Sequence, residues 1–94
     1  NVYPEELETL LERDPRIKEA GVFELREKPV VVMAMEGDDP NETARDVLRV
    51  FNNFVSSHNQ ITRYAVVDEL PRTPLGKIAL QELPEAFAEN EVRK

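Results

Sequence analysis

The sequence predicts a small α+β domain in which helices pack a three-stranded sheet, in the order α-β-β-α-β-loop-α. Its 94 residues are enough for one modest hydrophobic core and too few for two. A β-branched apolar run lies near residue 32, and apolar residues at helical spacing follow between residues 44 and 55. Both kinds of element in one short chain favour helices packed on a sheet.

The N-terminal half is predicted to form one helix and one hairpin. Pro4 suits a first helical turn, and acidic residues followed by leucines at helical spacing extend the prediction over residues 4–13. Residues 17–25 and the run Val30–Met35 are predicted strands, close enough in sequence to pair as a hairpin. Because the second run is apolar throughout, we expect it to be buried on both faces.

The longest helix is predicted over about residues 41–57. Asp39 is the expected N-terminal cap, and apolar residues at steps of three and four form one continuous face. We predict that Phe51 and Phe54 both lie in the core. His58 is expected to interact favourably with the helix C-terminus.

The last third of the chain is predicted to contain a strand, a proline-rich loop and a final helix. Residues 63–68 form the expected strand, and residues 69–77 form the loop. A helical stretch begins near Ile78, and Pro84 is expected to restart it because proline interrupts a helix interior.

Composition excludes several classes of function. Twelve basic against 19 acidic residues give a net charge of −7, which disfavours binding to nucleic acid. The absence of cysteine excludes disulfides, thiolate metal sites and thiol nucleophiles, and a single histidine argues against a serine–histidine triad. The longest apolar run is too short to span a membrane. The helical glutamates are expected to be solvated rather than metal ligands: Glu5, Glu6, Glu8, Glu12, Glu82, Glu85, Glu89 and Glu91.

The loop before the final helix carries the residues of greatest chemical interest. Gly76 permits a tight backbone turn directly before Lys77. A lysine placed there is a mobile point charge, suited to a phosphate or carboxylate supplied by another molecule, although a merely solvated lysine is the alternative. Arg72 and Thr73 are expected to shape the loop in preference to contacting a partner domain. The chain contains neither a P-loop nor a dinucleotide-binding fingerprint.

Residues 71–77 resemble the lysine-bearing C-terminal signature of the AMP-forming adenylating enzymes, which reads Pro, basic, Thr, two variable residues, Gly, Lys. This superfamily includes acyl-CoA synthetases, peptide-synthetase adenylation domains and luciferases. Residues 1–8 resemble the segment that follows the hinge in these enzymes, and residues 14–22 resemble their His-Pro-x-Val-x-Glu-Ala-Ala-Val stretch. The three segments occur in the expected order and together span nearly the whole chain.

The resemblance implies that residues 1–94 form a C-terminal lid domain, whose large N-terminal ATP- and acyl-binding domain is not part of this sequence. Lys77 would be the catalytic lysine of carboxylate adenylation, and the lid would then reorient for thioester formation. ATP and Mg2+ would be bound mainly by the larger domain, with CoA or phosphopantetheine as the acceptor. The isolated domain should be inactive, and a cytoplasmic location is expected. The resemblance assigns loop-positioning roles to Pro71, Arg72, Thr73 and Gly76, and Arg63 is a candidate contact for the acceptor or partner domain.

Some positions depart from the family pattern. No arginine follows Ile78, residues 58–61 lack the usual Tyr-Lys-x-Pro cluster, and residues 26–29 lack the usual Gly-Glu. These departures leave open a second hypothesis, a non-catalytic module of the same fold that docks a carrier protein or a sibling subunit. Because Asn1 rather than Met begins the sequence, we expect a fragment of a longer protein.

Overall fold

The computed structural model describes residues 3–93 and contains a three-stranded mixed sheet. Strands β1 (Ile17–Leu25) and β2 (Lys28–Met35) pair antiparallel, and β3 (Tyr64–Val66) pairs parallel to β2 on its other side. The central strand is buried along its length after its first residue, which confirms the prediction that it is covered on both faces. Residues 1–2, which belong to the predicted post-hinge segment, lie outside the described part of the chain.

Three α-helices accompany the sheet: α1 (Pro4–Leu11), α2 (Pro40–Phe54) and α3 (Leu83–Asn90). The first two end earlier than predicted, and α2 stops because Val55 takes extended backbone angles. A short 3-10 turn, Leu80–Glu82, precedes α3, whose first turn contains the proline expected there. The observed order of elements confirms the predicted α+β fold. None of the helices within residues 3–93 has the length and apolar character needed to cross a membrane.

The sheet separates two apolar clusters because side chains alternate along β2. Val31, Met33 and Met35 face the cluster that contains the buried residues of α1 and α2. Val30 and Val32 face the opposite cluster, which includes the buried residues of α3. The fold therefore has three layers, and the chain from β3 to α3 lies on the side opposite α2.

The predictions for the C-terminal end of α2 are partly wrong. Asp39 caps the helix as expected, through a 3.4 Å hydrogen bond from the Glu42 amide, and Phe51 is buried. Phe54, however, is 85% exposed. A step of three residues rotates a side chain by about 60° around a helix axis, and Phe54 is the last residue of the helix, so apolar spacing alone does not ensure burial.

His58 does not cap α2, contrary to the prediction. It lies beyond the helix in a separate 3-10 turn, Ser57–Asn59, and its Nε2 is 3.4 Å from the Ser56 Oγ atom. The extended backbone at Val55 separates this turn from the last carbonyls of α2.

Three glutamates predicted to be solvated have structural partners, although Glu12 is also exposed as predicted. Glu8 accepts a hydrogen bond from the Val22 amide at 2.8 Å, and Glu12 accepts one from the Ala20 amide at 3.1 Å. These carboxylates satisfy amide groups that β1, an edge strand, leaves unpaired. Burial raises the pKa of Glu8. Glu91 is largely buried in an ion pair that is described below.

Candidate functional site

The loop that carries Lys77 is a small hairpin formed by residues 71–79, which we call the lysine hairpin. Arg72 and Ile78 form an antiparallel bridge at its base. Above them the Thr73 amide donates to the Lys77 carbonyl at 2.7 Å, and the Gly76 amide donates to the Thr73 carbonyl at 2.9 Å. This is the bonding pattern of a three-residue hairpin loop closed by a glycine bulge.

The residue types of the predicted motif explain this local shape. Pro74 occupies the second position of the turn, which its fixed φ favours, and Gly76 adopts a φ of +88° that side chains rarely allow. The Thr73 hydroxyl accepts a 3.3 Å hydrogen bond from the Lys77 amide. The Pro71 carbonyl accepts from the Ala79 amide at 2.8 Å and closes the hairpin at its base. Each of these contacts lies within the hairpin, so together they set its shape.

Lys77 is exposed on one side of the turn. Within residues 3–93, no carboxylate forms an ion pair with its ammonium group. Leu75, at the tip of the turn, is 87% exposed. The hairpin therefore presents a positive charge beside an apolar side chain, and an ammonium group of this kind can interact with phosphate or carboxylate oxygens from outside the domain.

Arg72 connects the hairpin to the sheet. One guanidinium nitrogen, Nη1, donates to the Gly76 carbonyl at 2.9 Å, and the other, Nη2, pairs with Oε1 of Glu19 on β1. The second oxygen of Glu19 accepts a 3.2 Å hydrogen bond from the Leu70 amide. Sequence reasoning assigned no role to Glu19. The available signal was a carboxylate within an otherwise half-buried strand, where it needs a partner.

Arg63 lies apart from this arrangement. Its guanidinium makes two hydrogen bonds to Glu91, at 2.7 and 2.9 Å, and sits 5.3 Å from the centre of the Phe87 ring. The Arg63 guanidinium lowers the pKa of the Glu91 carboxyl. None of the side-chain contacts found for Arg63 is with the lysine hairpin, so the structure does not bring these two predicted site regions together.

Acidic and histidine side chains do not form a metal site in the part of the chain described here. Within residues 3–93, no group of three or more His, Cys, Asp or Glu side chains is arranged to hold a metal ion. We therefore assign no metal ligand to these residues.

Sequence and structure comparisons give the family. No protein-family model matches the chain. It is 33% identical over 100 residues to the fatty acid–[acyl-carrier-protein] ligase ScoC of Streptomyces coeruleorubidus, covering 100% of this chain and 19% of that protein. It is 35% identical over 85 residues to the p-hydroxybenzoic acid–AMP ligase FadD22 of Mycobacterium tuberculosis, covering 83% of this chain and 12% of that protein.

The fold agrees with these relationships. The unliganded O-succinylbenzoate coenzyme A synthetase MenE of Bacillus subtilis superimposes with a TM-score of 0.74 at 23% identity, covering 99% of this chain and 19% of that structure. The chain thus spans between 12% and 19% of the length of these three proteins. On this sequence similarity and this fold, the chain belongs to the AMP-forming adenylating enzymes and matches only a small part of each relative.

Proposed function

We propose that this domain is the lid of an ATP-dependent, AMP-forming acid–thiol ligase and that Lys77 is its adenylation residue. The observation that carries the proposal is the lysine hairpin, which holds an exposed ammonium group that forms no ion pair within residues 3–93. The relatives that match this chain are ligases of carboxylic acids by name, which supports the same class of reaction here.

The chemistry needs such a charge because adenylation brings two anions together. The carboxylate of the acid must approach the α-phosphate of ATP, which, when bound, supplies the adenylyl group and releases pyrophosphate. The Lys77 ammonium would lie between these anions, reduce their repulsion and hold them in line. A hairpin that is already folded places this charge without a large loss of chain entropy at the time of reaction.

The remaining parts of the reaction are assigned to a larger N-terminal domain. This chain spans at most 19% of the relatives named above, so ATP, Mg2+ and the acid would bind mainly outside it, and the isolated domain would be inactive. After adenylation the lid would reorient for transfer to CoA or to the phosphopantetheine arm of a carrier protein in the cytoplasm. Arg63 pairs with Glu91 but remains partly exposed, and it stays the candidate contact for the acceptor or the larger domain.

The test is Lys77→Ala in the full-length protein, with acid-dependent exchange of pyrophosphate into ATP as the measurement. Loss of one preorganised electrostatic partner should lower the rate of adenylation by about 10²–10³-fold. Thioester formation from a preformed acyl-adenylate should change far less.

Lys28→Ala is the matched control, because Lys28 is also exposed but lies at the start of β2. It should leave both half-reactions unchanged. Normal exchange by the Lys77→Ala protein would overturn the proposal and favour the non-catalytic docking module.

A further inference from the structure

We propose that Glu19 is a positioning residue for Lys77, acting through Arg72 to fix the orientation of the lysine hairpin against the sheet. This inference rests on the adenylation role of Lys77 proposed above. It concerns a residue far from the lysine motif in sequence, since Glu19 and Arg72 are 53 positions apart.

The first step in the argument is that both oxygens of Glu19 are used at the hairpin. Oε2 accepts from the amide of Leu70, the buried residue directly before the hairpin, at 3.2 Å. Oε1 pairs with the guanidinium of Arg72, whose other terminal nitrogen reaches the Gly76 carbonyl at 2.9 Å. A continuous chain of hydrogen bonds thus runs from β1 to the residue that precedes Lys77.

A β-bulge directs Glu19 toward the hairpin. In the pairing with β2, Ile17 lies opposite Met35 and Glu19 lies opposite Ala34, so the register shifts by one residue between them. In a regular strand, residues 17 and 19 would share a face. The bulge lets Ile17 enter the core beneath α1 and α2 while Glu19 lies on the opposite face, where the hairpin begins.

Ile78 and Ala79 pack the base of the hairpin against the core, but this connection differs in kind from the other hydrogen bonds of the hairpin. The bonds that involve Thr73 join one part of the hairpin to another, so they set its shape and not its orientation. The tip, residues 74–77, is exposed throughout and has no buried side chain to anchor it. The Arg72 side chain reaches that tip, and Glu19, whose side chain is 18% exposed, ties it to the sheet through a charge-assisted bond that is only partly screened by solvent.

The predicted consequence is a loss of rate in one half-reaction. A displaced ammonium group still binds solvent and the fold is retained, but the aligned geometry needed for adenylation is populated less often. A displacement of about 1 Å at a reacting centre can reduce a rate by up to about 100-fold. Transfer from a preformed adenylate, which does not use Lys77 in this scheme, should be spared.

The experiment is Glu19→Gln in the full-length protein, which keeps the side-chain size and removes the charge. We expect kcat for pyrophosphate exchange to fall about tenfold, with KM for ATP and transfer from the preformed adenylate each within about twofold of wild type.

Asp14→Asn is the matched control. Asp14 also accepts from a backbone amide and from an arginine, both belonging to Arg16, but it makes no contact with the hairpin. It should leave both half-reactions within about twofold of wild type.

Arg72→Lys provides a second variant, because an exposed lysine should be tolerated in the fold but has no fork to bind Glu19 and Gly76 together. It should reproduce the Glu19→Gln defect, and the double variant should be no worse than the more impaired single variant.

Equal loss of both half-reactions in Glu19→Gln would indicate a structural role only and would overturn the inference. If the Glu19→Gln protein exchanged pyrophosphate as fast as the Asp14→Asn protein, the inference would also be overturned. A Lys77→Ala protein that exchanges normally would instead overturn the proposed function itself, so the two failures are distinguishable.

Discussion

Two glycines with the same backbone constraint allow the role of the lysine hairpin to be separated from general stability. Gly76 and Gly37 have φ values of +88° and +95°, and apart from the adjacent residues neither has a heavy atom within 4 Å of the position that a Cβ would occupy. Alanine at either site therefore meets no steric clash, and its cost is the unfavourable backbone conformation, about 1–2 kcal/mol. On stability alone, the two substitutions should be nearly equivalent.

Their effects on adenylation should differ. Relaxation of residue 76 to a negative φ would disturb the 2.9 Å hydrogen bond from its amide to the Thr73 carbonyl. It would also disturb the 2.7 Å hydrogen bond from the Thr73 amide to the Lys77 carbonyl, and the Lys77 ammonium group would move. A penalty of about 1–2 kcal/mol corresponds to a roughly 5–30-fold lower population of the productive hairpin. Gly76→Ala should lower pyrophosphate exchange by about that factor, whereas Gly37→Ala should not.

Thermal unfolding of the 94-residue domain, followed by circular dichroism, gives the stability of both variants. Pyrophosphate-exchange assays of the full-length protein give their activity. Each kcal/mol lost should lower Tm by about 4–8 °C in a domain of this size. The reasoning is refuted if Gly76→Ala and Gly37→Ala lose stability equally and also exchange pyrophosphate at the same rate.

Three further predictions concern the fold. Gly21→Ala would place a Cβ 2.9 Å from the buried Leu83 side chain and should cost about 1–3 kcal/mol in urea unfolding; the double variant with Leu83→Ala should lose less stability than the sum of the two single losses. Phe54→Ser should change the free energy of unfolding by less than about 0.5 kcal/mol, because that side chain is 85% exposed; a larger loss would mean that it is packed in solution. Hydrogen bonding from Arg16 lowers the pKa of Asp14, so the ionised carboxylate stabilises the fold above its unfolded-state pKa, and this contribution is lost as the pH falls through the lowered folded-state value. Asp14→Asn should therefore destabilise the domain near neutral pH and have little effect in strong acid, as measured by unfolding across a pH series.

The secondary structure was predictable wherever a local sequence pattern is typical of only one kind of element. The continuous apolar run of β2 indicated burial on both faces, and the two clusters of the core confirm it. Burial at the end of α2 was less predictable, because Phe54 continues the apolar spacing of Phe51 but is the last residue of the helix and is exposed. Spacing defines a face of a helix, but it does not say how far the neighbouring elements extend to cover that face.

The partners of the carboxylates could not be predicted, because they depend on pairing between distant segments. Glu8 and Glu12 were assigned to a solvated helix face, and only the position of β1 at the sheet edge shows why they accept its amide hydrogens. Arg63 is predicted to contact an external group, and the sequence does not show that Glu91, 28 positions away, accepts its hydrogen bonds within the domain.

Glu19 shows how much of a site can lie outside its motif. Apolar residues 17, 20 and 22 do not alternate regularly, and this break is the local signal of a bulge. The break says nothing about which distant group the re-aimed carboxylate meets, because that depends on where the chain returns after β3. If the hydrogen bonds from Glu19 through Arg72 orient Lys77, an intact motif is not sufficient for adenylation. A chain that kept residues 71–77 and lost the carboxylate at position 19 would retain the hairpin but hold its ammonium group in the productive direction less often.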